Sequence, residues 1–344
     1  MSKNTTIKDI ARLSGYSVTT VSRALNNHPD INEETKKKIM DVVKETGFVP
    51  NTAAINLKKT KANNIALLVK GMTNPFLNRM ISVLEEALQL KDYTVILRHV
   101  EAKDDEVKIA IRLSVEHRLK GIVFLGGNFS HEEALIDKLK MPLVFSTVGG
   151  RDGEKNKYSN ICVDDVGESE KMVSYLISLG HKDIAFIGDN ISTTSVGMLR
   201  YEGYCNALKK AGISVDPFLT LEAEGENERF TYGNGYKLTK RLLDSKHHFT
   251  AIFCTADVFA VGASRALLDA GLTIPGDVSV AGYDGIPLGE YFIPRITTIR
   301  QPVEKMADET AKLLFNMMEK KEKPKSVLMP GELIVRESTG KCKE

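Results

Sequence analysis

The strongest constraint on the fold is a regular alternation, from Asn64 onward, between short apolar runs and stretches with helical periodicity. The first apolar runs are IALLV (65–69), YTVIL (93–97), GIVFL (121–125) and PLVFS (142–146). Short continuous apolar runs of this kind are typical of strands buried on both faces of a parallel sheet. Amphipathic helices are predicted between them, over about 76–90, 104–119 and 131–139.

A second series of the same kind follows. Its strands are IAFIG (184–188), a weaker run at 218–221, AIFCT (251–255) and VSVAGYD (278–284). Its predicted helices lie near 167–179, 194–210, 232–243 and 258–268. Two successive sets of βαβ units predict an α/β fold with two doubly wound lobes. Because ligands bind beyond the carboxyl ends of such strands, a cleft between the lobes is the expected small-molecule site.

The first fifty residues have a different pattern. The segment TIKDIARLSGYSVTTVSRALNN (6–27) carries apolar residues at helical spacing on both sides of Gly15, where the chain must turn sharply. Ser17 is suited to cap the second helix. A third helix is predicted over about 32–46, with Asn32 as its cap and Gly47 at its end. The segment is therefore predicted to be an all-α helix-turn-helix unit.

The charge distribution separates this unit from the rest of the chain. Residues 1–62 hold eleven Lys and Arg and six Asp and Glu, a net charge of +5. The whole chain is only +2, so the remaining residues carry −3. A helical hairpin with a glycine turn also occurs in domains that never bind nucleic acid. The basic charge on this unit favours DNA binding, since phosphate contacts dominate affinity.

The segment after the three helices is short. Pro50 stops the chain from continuing as a helix, and Asn51 is placed to cap about eight residues that include Ala54 and Leu57. Isolated helices below ~12–15 residues are marginal in water. Two interpretations remain open, which are a plain linker and a hinge that folds on DNA.

Several function classes lack their signatures. The N-terminus has no hydrophobic leader and no apolar run reaches transmembrane length, so a cytoplasmic location is expected. Four scattered cysteines without CxxC spacing indicate neither a zinc site nor a disulfide framework. The chain contains no GxxxxGK[ST], no GxGxxG after the first strand, no GxSxG and no HExxH. We therefore expect no cofactor, no metal and no catalytic residues.

An ordered set of motifs resembles the lactose-repressor/galactose-repressor family of bacterial transcription regulators. The helix-turn-helix segment is followed at family spacing by GFVPN, AAINLKK, NPF, GIVFLGG, SLGHKDIAFIG, LRYEGYCNAL, FCTADVFAVGASRAL, VSVAGYD and ITTIRQP. The resemblance covers nearly the whole chain.

This resemblance implies the domain organisation. A helix-turn-helix headpiece would occupy 1–50 and a hinge helix 51–62. A core like that of periplasmic binding proteins would follow, with its first lobe at 63–162 and 293–326 and its second at 163–292 and 327–344. The family binds pseudo-palindromic operators as homodimers. The chain ends without the heptad helix that makes tetramers in some members, so a dimer is expected.

The resemblance also assigns DNA-binding residues. Val18, Thr19 and Arg23 would face base edges, and Arg23 could donate two hydrogen bonds to a guanine. Leu57 would insert into the central base step from the minor groove, with the small Ala54 allowing two hinge helices to approach. The remaining residues assigned to DNA, mostly at phosphates or caps, are Thr6, Ser17, Thr20, Ser22, Asn26 and Asn51.

A set of effector-binding residues follows in the same way. Asp284 and Arg200 match the family's two main polar pocket positions, where a carboxylate and a guanidinium bond sugar hydroxyls. The full set is Lys70, Asn74, Phe76, Arg200, Phe230, Ala256, Asp257 and Asp284. Ala256 stands where several members have Asn, and Asp257 is as well suited to capping a helix. Lys70 departs from the family, and it indicates either an anionic effector (a sugar phosphate or sugar acid) or a solvated lysine.

The sequence therefore predicts a non-enzymatic transcription regulator, most often a repressor in this family, whose partners are operator DNA, a sugar-type effector and a second copy of the chain. Two alternatives are a carbohydrate-binding protein that does not bind DNA and a sugar-metabolising enzyme on the same scaffold. Whether the effector releases DNA or promotes binding is left open.

Overall fold

The structure is a computed structural model that describes residues 5–25, 30–48, 63–149, 157–189, 191, 194–223 and 229–343. Internal contacts divide the chain into two units, Met1–Ala62 and Asn63–Glu344. The first unit contains three described helices, and the second contains two sheets with their helices. The predicted α/β fold class with an all-α N-terminal unit is confirmed.

The N-terminal unit is a helix-turn-helix followed by a third helix. Its helices are α1 (Ile7–Ser14), α2 (Val18–Leu25) and α3 (Glu33–Thr46). Gly15 ends α1 with φ of 74°, in the left-handed region that glycine adopts without strain. The helices bury a small apolar core made of Ile10, Ala11, Val21, Ala24 and Ile39.

Side-chain caps define where these helices begin. The amide of Thr20 donates to the Ser17 hydroxyl at 3.1 Å, and the amide of Thr35 donates to Asn32 Oδ1 at 2.8 Å. Both predicted caps are thus confirmed. At α1, the amide of Thr6 donates to the Asp9 carboxylate at 3.0 Å, which orders the first turn.

The first sheet of the second unit is fully parallel. Its strands are β1 (Asn64–Lys70), β2 (Thr94–Val100), β3 (Leu119–Leu125), β4 (Leu143–Ser146), β5 (Ser159–Val163) and β11 (Ser326–Met329), in the order β11-β5-β4-β3-β1-β2. The helices that cover it are α4 (Pro75–Gln89), α5 (Glu106–His117), α6 (Glu133–Ile136) and α12 (Val303–Glu319). We call this part the first lobe.

The second lobe has the same design with one antiparallel edge. Its strands are β6 (Ile184–Gly188), β7 (Thr220–Glu222), β8 (Ala251–Cys254), β9 (Ser279–Asp284), β10 (Thr297–Arg300) and β12 (Glu332–Ile334), in the order β12-β10-β9-β8-β6-β7. The helices are α7 (Asp165–Ser178), α8 (Val196–Lys210), α9 (Tyr232–Asp244), α10 (Asp257–Asp269) and α11 (Leu288–Tyr291). None of the described helices is long and apolar enough to cross a membrane.

The chain passes between the lobes at different residues from those predicted at two of its crossings. Residues 293–300 were expected in the first lobe, but β10 pairs with β9 of the second sheet, so the chain crosses after Arg300. Residues 327–329 were expected in the second lobe, but β11 pairs with β5 of the first sheet. The predicted helix at 131–139 also shortens to α6. A strand pattern shows that a segment is a strand and does not show which sheet it joins.

The small core of the N-terminal unit makes it sensitive to a single cavity. Ile39 is fully buried on α3, and Ile→Ala in a core costs about 2–5 kcal/mol, as much as a domain of this size usually has. We expect Ile39→Ala to abolish DNA binding while calorimetry still shows the unfolding transition of the second unit. The neighbouring Met40 is 44% exposed, so Met40→Ala is the matched control. Retained DNA binding in Ile39→Ala would contradict the expectation.

Candidate functional site

A cavity of about 530 Å³ lies where the strands of both sheets end. In the first lobe, Lys70 is the last residue of β1 and Thr147 directly follows β4. In the second lobe, Asp189 directly follows β6 and Asp284 is the last residue of β9. Gln301 follows β10, on the segment that crosses between the lobes. Because these side chains come from carboxyl ends of parallel strands, the cavity lies at the position where α/β sheets bind ligands.

Asp284 is the polar centre of this cavity. The residue is 3% exposed. Its carboxylate accepts two side-chain hydrogen bonds of 2.8 Å, from Asn74 Nδ2 to Oδ2 and from Gln301 Nε2 to Oδ1. Asn74 belongs to the first lobe, where its own oxygen caps α4 by accepting from the amide of Phe76 at 3.1 Å. A single carboxylate of the second lobe is therefore hydrogen-bonded to the first lobe and to a crossing segment.

Arg200 lies beside Asp284 and is held on three sides. Its Nε donates to Asp165 Oδ1 at 2.8 Å and its Nη1 donates to the carbonyl of Thr255 at 2.5 Å. The guanidinium carbon lies 3.7 Å from the ring centroid of Tyr283. The distance from Nη1 to Asp284 Oδ1 is 3.6 Å. Burial raises the pKa of Asp284, although the nearby Arg200 opposes that rise.

Asp257 supports Asp284 and does not line the cavity. It is fully buried and accepts the amide of Ile286 at 2.8 Å and the hydroxyl of Thr298 at 2.7 Å. Asp284 has φ of 110°, a strained value for a residue other than glycine. Because Asp257 holds the turn that follows, it fixes the conformation that presents the Asp284 carboxylate to the cavity.

A second polar cluster lines the cavity on the first lobe, and we name its members Lys70, Glu106 and His131 the Lys70 group. Lys70 Nζ lies 3.1 Å from Glu106 Oε2 and donates to the carbonyl of Asp104 at 2.7 Å. The other oxygen of Glu106 accepts the amide of Asn128 at 2.9 Å. His131 Nε2 lies 3.0 Å from the carbonyl of Asn128, which can only accept, so Nε2 carries the proton.

Two glycines allow the loop after β3 to come close to Glu106. Gly126 and Gly127 follow β3 with φ of 70° and 98°. A Cβ on Gly127 would lie 2.5 Å from Glu106 Oε1, so a larger residue would displace the Glu106 carboxylate. The same loop reaches the second lobe, since the amide of Phe129 donates to the carbonyl of Thr194 at 2.9 Å.

Every cation that lines the described cavity has a carboxylate partner. The nitrogen-to-oxygen distances are 3.1 Å for Lys70 and Glu106, 3.3 Å for Lys103 and Glu101, 2.8 Å for Arg200 and Asp165, and 3.3 Å for Arg229 and Asp189. Six Asp and Glu residues line the cavity against four Lys and Arg residues. Burial lowers the pKa of His131, although Glu106 opposes this, so His131 adds no charge at neutral pH. The cavity is therefore unfavourable for an anion.

Two aromatic residues are among the apolar residues that line the cavity. Phe76 lies in the first turn of α4 and is 6% exposed. Phe230 stacks on Phe259 with ring centroids 5.4 Å apart. Both rings line the cavity.

Six of the eight predicted effector residues line this cavity, and they are Lys70, Asn74, Phe76, Arg200, Phe230 and Asp284. Ala256 and Asp257 are instead fully buried beside it. The side chain of Lys70 is 15% exposed and ion-paired with Glu106, so it is not a solvated lysine, and an anion bound to it would have to compete with Glu106.

Sequence reasoning missed Glu106, His131, Asp189 and Gln301. Asp189 and Gln301 directly follow strands β6 and β10, so a position just after a strand end could have indicated them. Glu106 and His131 carried no comparable signal, because each lies in or next to a helix on an otherwise polar stretch.

The N-terminal unit presents the predicted DNA-reading side chains to solvent. Val18, Thr19 and Arg23 are exposed along α2, and among the described residues Arg23 has no acidic partner. Thr20 and Ser22 are half-buried. Asn26, Asn51, Ala54 and Leu57 lie outside the described residues.

A helix-turn-helix unit joined to a two-lobed core with a polar cleft defines the class of ligand-responsive DNA-binding regulators. Two family models match the chain. The bacterial regulatory proteins of the lacI family match residues 6–51, and the periplasmic binding protein-like domain matches residues 173–339.

Known relatives match over almost the full length. The HTH-type transcriptional regulator MalR of Clostridium butyricum is 36% identical and covers 96% of this chain and 98% of its own. The HTH-type transcriptional repressor PurR of Pasteurella multocida is 30% identical, over 97% of this chain and 98% of its own. A solved complex of the transcriptional regulator CelR with cellobiose is 26% identical with a TM-score of 0.71, over 97% of this chain and 99% of its own.

The chain therefore belongs to the lacI family of bacterial regulatory proteins, and it is a helix-turn-helix transcription regulator that binds DNA. The family resemblance predicted from the sequence is confirmed.

The environment of Asp257 gives a test of its supporting role. Burial, with Asp284 nearby, raises the pKa of Asp257 to about 7. In the unfolded chain the value is about 3.9, so the folded state favours the protonated form. Its contribution to stability is therefore complete below about pH 4 and is lost as the pH rises through 7, by at most about 1.4 kcal/mol per pH unit.

We expect Asp257→Asn to reduce the fall in melting temperature of the second unit between pH 5 and pH 7.5, measured by calorimetry. An amide keeps the acceptor for Ile286 and can donate to Thr298. The matched control is Asp269→Asn at the far end of the same helix, where the carboxylate pairs with an exposed Arg265. An unchanged pH dependence in Asp257→Asn would contradict the assignment.

Proposed function

We propose that the protein is a homodimeric repressor of a pseudo-palindromic operator, controlled by an uncharged sugar bound in the cavity between the lobes. The observation that supports an uncharged sugar is that every cation lining the described cavity is paired with a carboxylate. A sugar phosphate or sugar acid that bound Lys70, Arg200 or Arg229 would have to compete with a buried or mostly buried carboxylate partner, which costs free energy.

The cavity offers what an uncharged sugar needs. A carboxylate has about four acceptor positions, and Asp284 uses two of them for Asn74 and Gln301, so sugar hydroxyls can donate to the others. Phe76 and Phe230 supply apolar faces for the C–H side of a sugar ring. The related CelR structure contains a neutral sugar, cellobiose.

A mechanism for control follows from the contacts between the lobes. Asn74 of the first lobe donates to the carboxylate that a sugar would also use. A bound sugar thus changes how strongly the lobes are held together, and a change in the first lobe alters the spacing of the two headpieces of a dimer. Coupling of this kind is reciprocal and typically about 1–3 kcal/mol. The sign, release of DNA or recruitment to it, depends on which state the sugar prefers.

On the DNA side, we propose that Val18, Thr19 and Arg23 read bases in the major groove. Their exposure on one helix supports this. Ser17, Thr20, Ser22 and Asn26 are assigned to phosphates, with Thr6 at the start of α1. Asn51, Ala54 and Leu57 are assigned to a hinge helix whose leucine wedges into the minor groove. We further propose that the protein acts in the bacterial cytoplasm, where its DNA lies, and that it has no enzymatic activity.

The base-reading role of Arg23 is tested by Arg23→Ala. Loss of a bidentate guanine contact should cost about 1–3 kcal/mol on the operator and much less on random DNA, as measured by fluorescence anisotropy at fixed salt. Arg12→Ala is the matched control, because Arg12 is exposed on α1 and paired with Asp9. Equal losses on operator and random DNA would show that Arg23 only contacts phosphate.

The charge class of the effector is tested by calorimetric titration with neutral sugars and the corresponding sugar phosphates and sugar acids. We expect only neutral sugars to bind and to change operator affinity, and we expect Asp284→Asn to weaken them at least tenfold. Asparagine tolerates positive φ, so this variant keeps the turn. Asp183→Asn, at an exposed carboxylate of the same lobe, is the control. Tighter binding of a phosphorylated sugar than of its parent would overturn the proposal.

A further inference from the structure

The first sheet separates charge between its two edges. Because all six of its strands are parallel, their amino ends lie along one edge and their carboxyl ends along the other. The described segments that lead into β2, β3, β4, β5 and β11 are, in that order, 90–93, 118, 137–142, 157–158 and 320–325. They hold nine Lys and Arg and three Asp and Glu, a net charge of +6. We call the surface that they form the amino-end face.

The rest of the core has the opposite charge. Residues 63–344 carry −3 in total, so the part outside the amino-end face carries −9. At the other edge of the sheet, the segments that follow β2, β3 and β5 carry −4 together, and they are 101–105, 126–132 and 164. The amino-end face is therefore a local basic surface on an acidic core.

Most of the cations on this face have no carboxylate partner. Lys157 and Lys325 are ion-paired, and Lys91 lies over the ring of Phe315. The other six are exposed, and none of them forms an ion pair with any residue that the structure describes. They are Arg118, Lys138, Lys140, Lys320, Lys321 and Lys323. In the cavity, by contrast, each lining cation has a carboxylate beside it.

The ends of the helices explain only part of this charge. A cation in the last turn of a helix is stabilised by the partial negative charge of the free carbonyl groups, but the effect falls off within that turn. Lys140 and Lys323 lie four positions after the last residues of α6 and α12. Unpaired like charges on one surface repel one another and destabilise the fold. An anionic partner would remove that repulsion.

The chain enters the core at this same face. The carbonyl of Asn63, just before β1, accepts the amide of Thr94 at the start of β2 at 2.8 Å. Asn64 Nδ2 donates to the carbonyl of His117 at 2.6 Å, directly before Arg118. The segment that comes from the N-terminal unit therefore joins the core between two of the basic segments.

The length of that segment keeps the amino-end face within reach of DNA bound by the headpiece. Asn63 is fifteen positions after Phe48, the last described residue of the N-terminal unit. A chain of that length spans at most ~54 Å, which is about 16 base pairs at ~3.4 Å each. The starts of six strands, ~4.8 Å apart, cover about 24 Å, the length of about seven base pairs. Duplex DNA therefore matches this face in charge and in size.

We propose that the amino-end face of the first lobe binds the phosphate backbone of the DNA that flanks the operator. The partner is duplex DNA of any sequence, since cations at phosphates add affinity without reading bases. Because one chain carries this contact and the headpiece, each raises the effective concentration of the other at the DNA. The inference rests on the proposed operator binding and adds a contact made by the core.

The first test measures how the length of the DNA changes binding by the full-length protein. The operator is the sequence that the unaltered protein enriches from a random library of about 26 base pairs, enough for two half-sites one turn apart. It is compared with the same sequence carrying about 20 base pairs of unrelated DNA on each side, more than the linking segment can span.

Fluorescence anisotropy gives the affinity of both duplexes over a range of salt concentrations. We expect the longer duplex to bind about tenfold more tightly at low salt. Its log–log salt slope should be steeper by about two to five, because each neutralised phosphate adds about 0.9. Equal affinities and slopes on the two duplexes would overturn the inference and leave operator binding by the headpiece intact. If the library yields no enriched sequence, the proposed operator binding fails and the inference fails with it.

The second test removes charge from the face. The triple variant Lys320→Gln, Lys321→Gln, Lys323→Gln removes three of the six unpaired cations. We expect it to lose about half of the slope difference between the two duplexes and to bind the short duplex within about twofold of the unaltered protein. The double variant Lys138→Gln, Lys140→Gln acts on another segment of the face. The same direction of change is expected there, and this variant serves should the triple variant unfold.

A matched control separates a local contact from a general effect of net charge. The triple variant Lys182→Gln, Lys209→Gln, Lys237→Gln changes the charge by the same amount at exposed positions of the second lobe. We expect it to keep the full difference between the long and the short duplex. The same loss in both triple variants would show that only net charge matters and would contradict the assignment of the amino-end face.

Discussion

The arrangement of the core depends on one buried carboxylate, that of Asp284. A carboxylate at 3% exposure is tolerated only where hydrogen bonds and charges replace the lost water. Asn74 and Gln301 supply the hydrogen bonds and Arg200 supplies the charge. Arg200 in turn needs Asp165, and the turn after Asp284 needs Asp257. The groups that Asp284 needs come from both lobes, from the crossing segment and from the starts of three helices, α4, α7 and α10.

The same pairing of charges supports the proposal of an uncharged effector. A site for a phosphorylated metabolite would present a cation whose charge is not already compensated, and among the described lining residues each cation has a carboxylate within ion-pair distance. A neutral polyol is different, because it exchanges hydroxyl contacts with water for contacts with fixed donors and acceptors and disturbs no ion pair. Lys70 illustrates the point. In the sequence it is an unexplained cation at the end of a strand, and in the structure Glu106 cancels its charge.

Local features of the chain were predictable from the sequence, and pairings between distant segments were not. The helix caps at Ser17 and Asn32 and the strand at Ile184–Gly188 lie where periodicity and short-range hydrogen bonding put them. Asp284 and Arg200 were found through the family resemblance. The partner of Lys70 was missed because Glu106 is 36 positions away along the chain and reaches it only through packing of α5 against β1. The sheet to which β10 and β11 belong was misplaced for the same reason.

A crossing segment connects the cavity to both lobes of the core. Gln301 follows β10 of the second sheet and precedes α12, which packs on the first lobe. A ligand that bonds Asp284 therefore acts on a group that already contacts the first lobe directly through Asn74 and the crossing through Gln301. Stabilising one arrangement of these three side chains over another is the differential interaction that any effector must have in order to shift a conformational equilibrium. A ligand with equal affinity for both arrangements would bind without regulating, however tightly it bound.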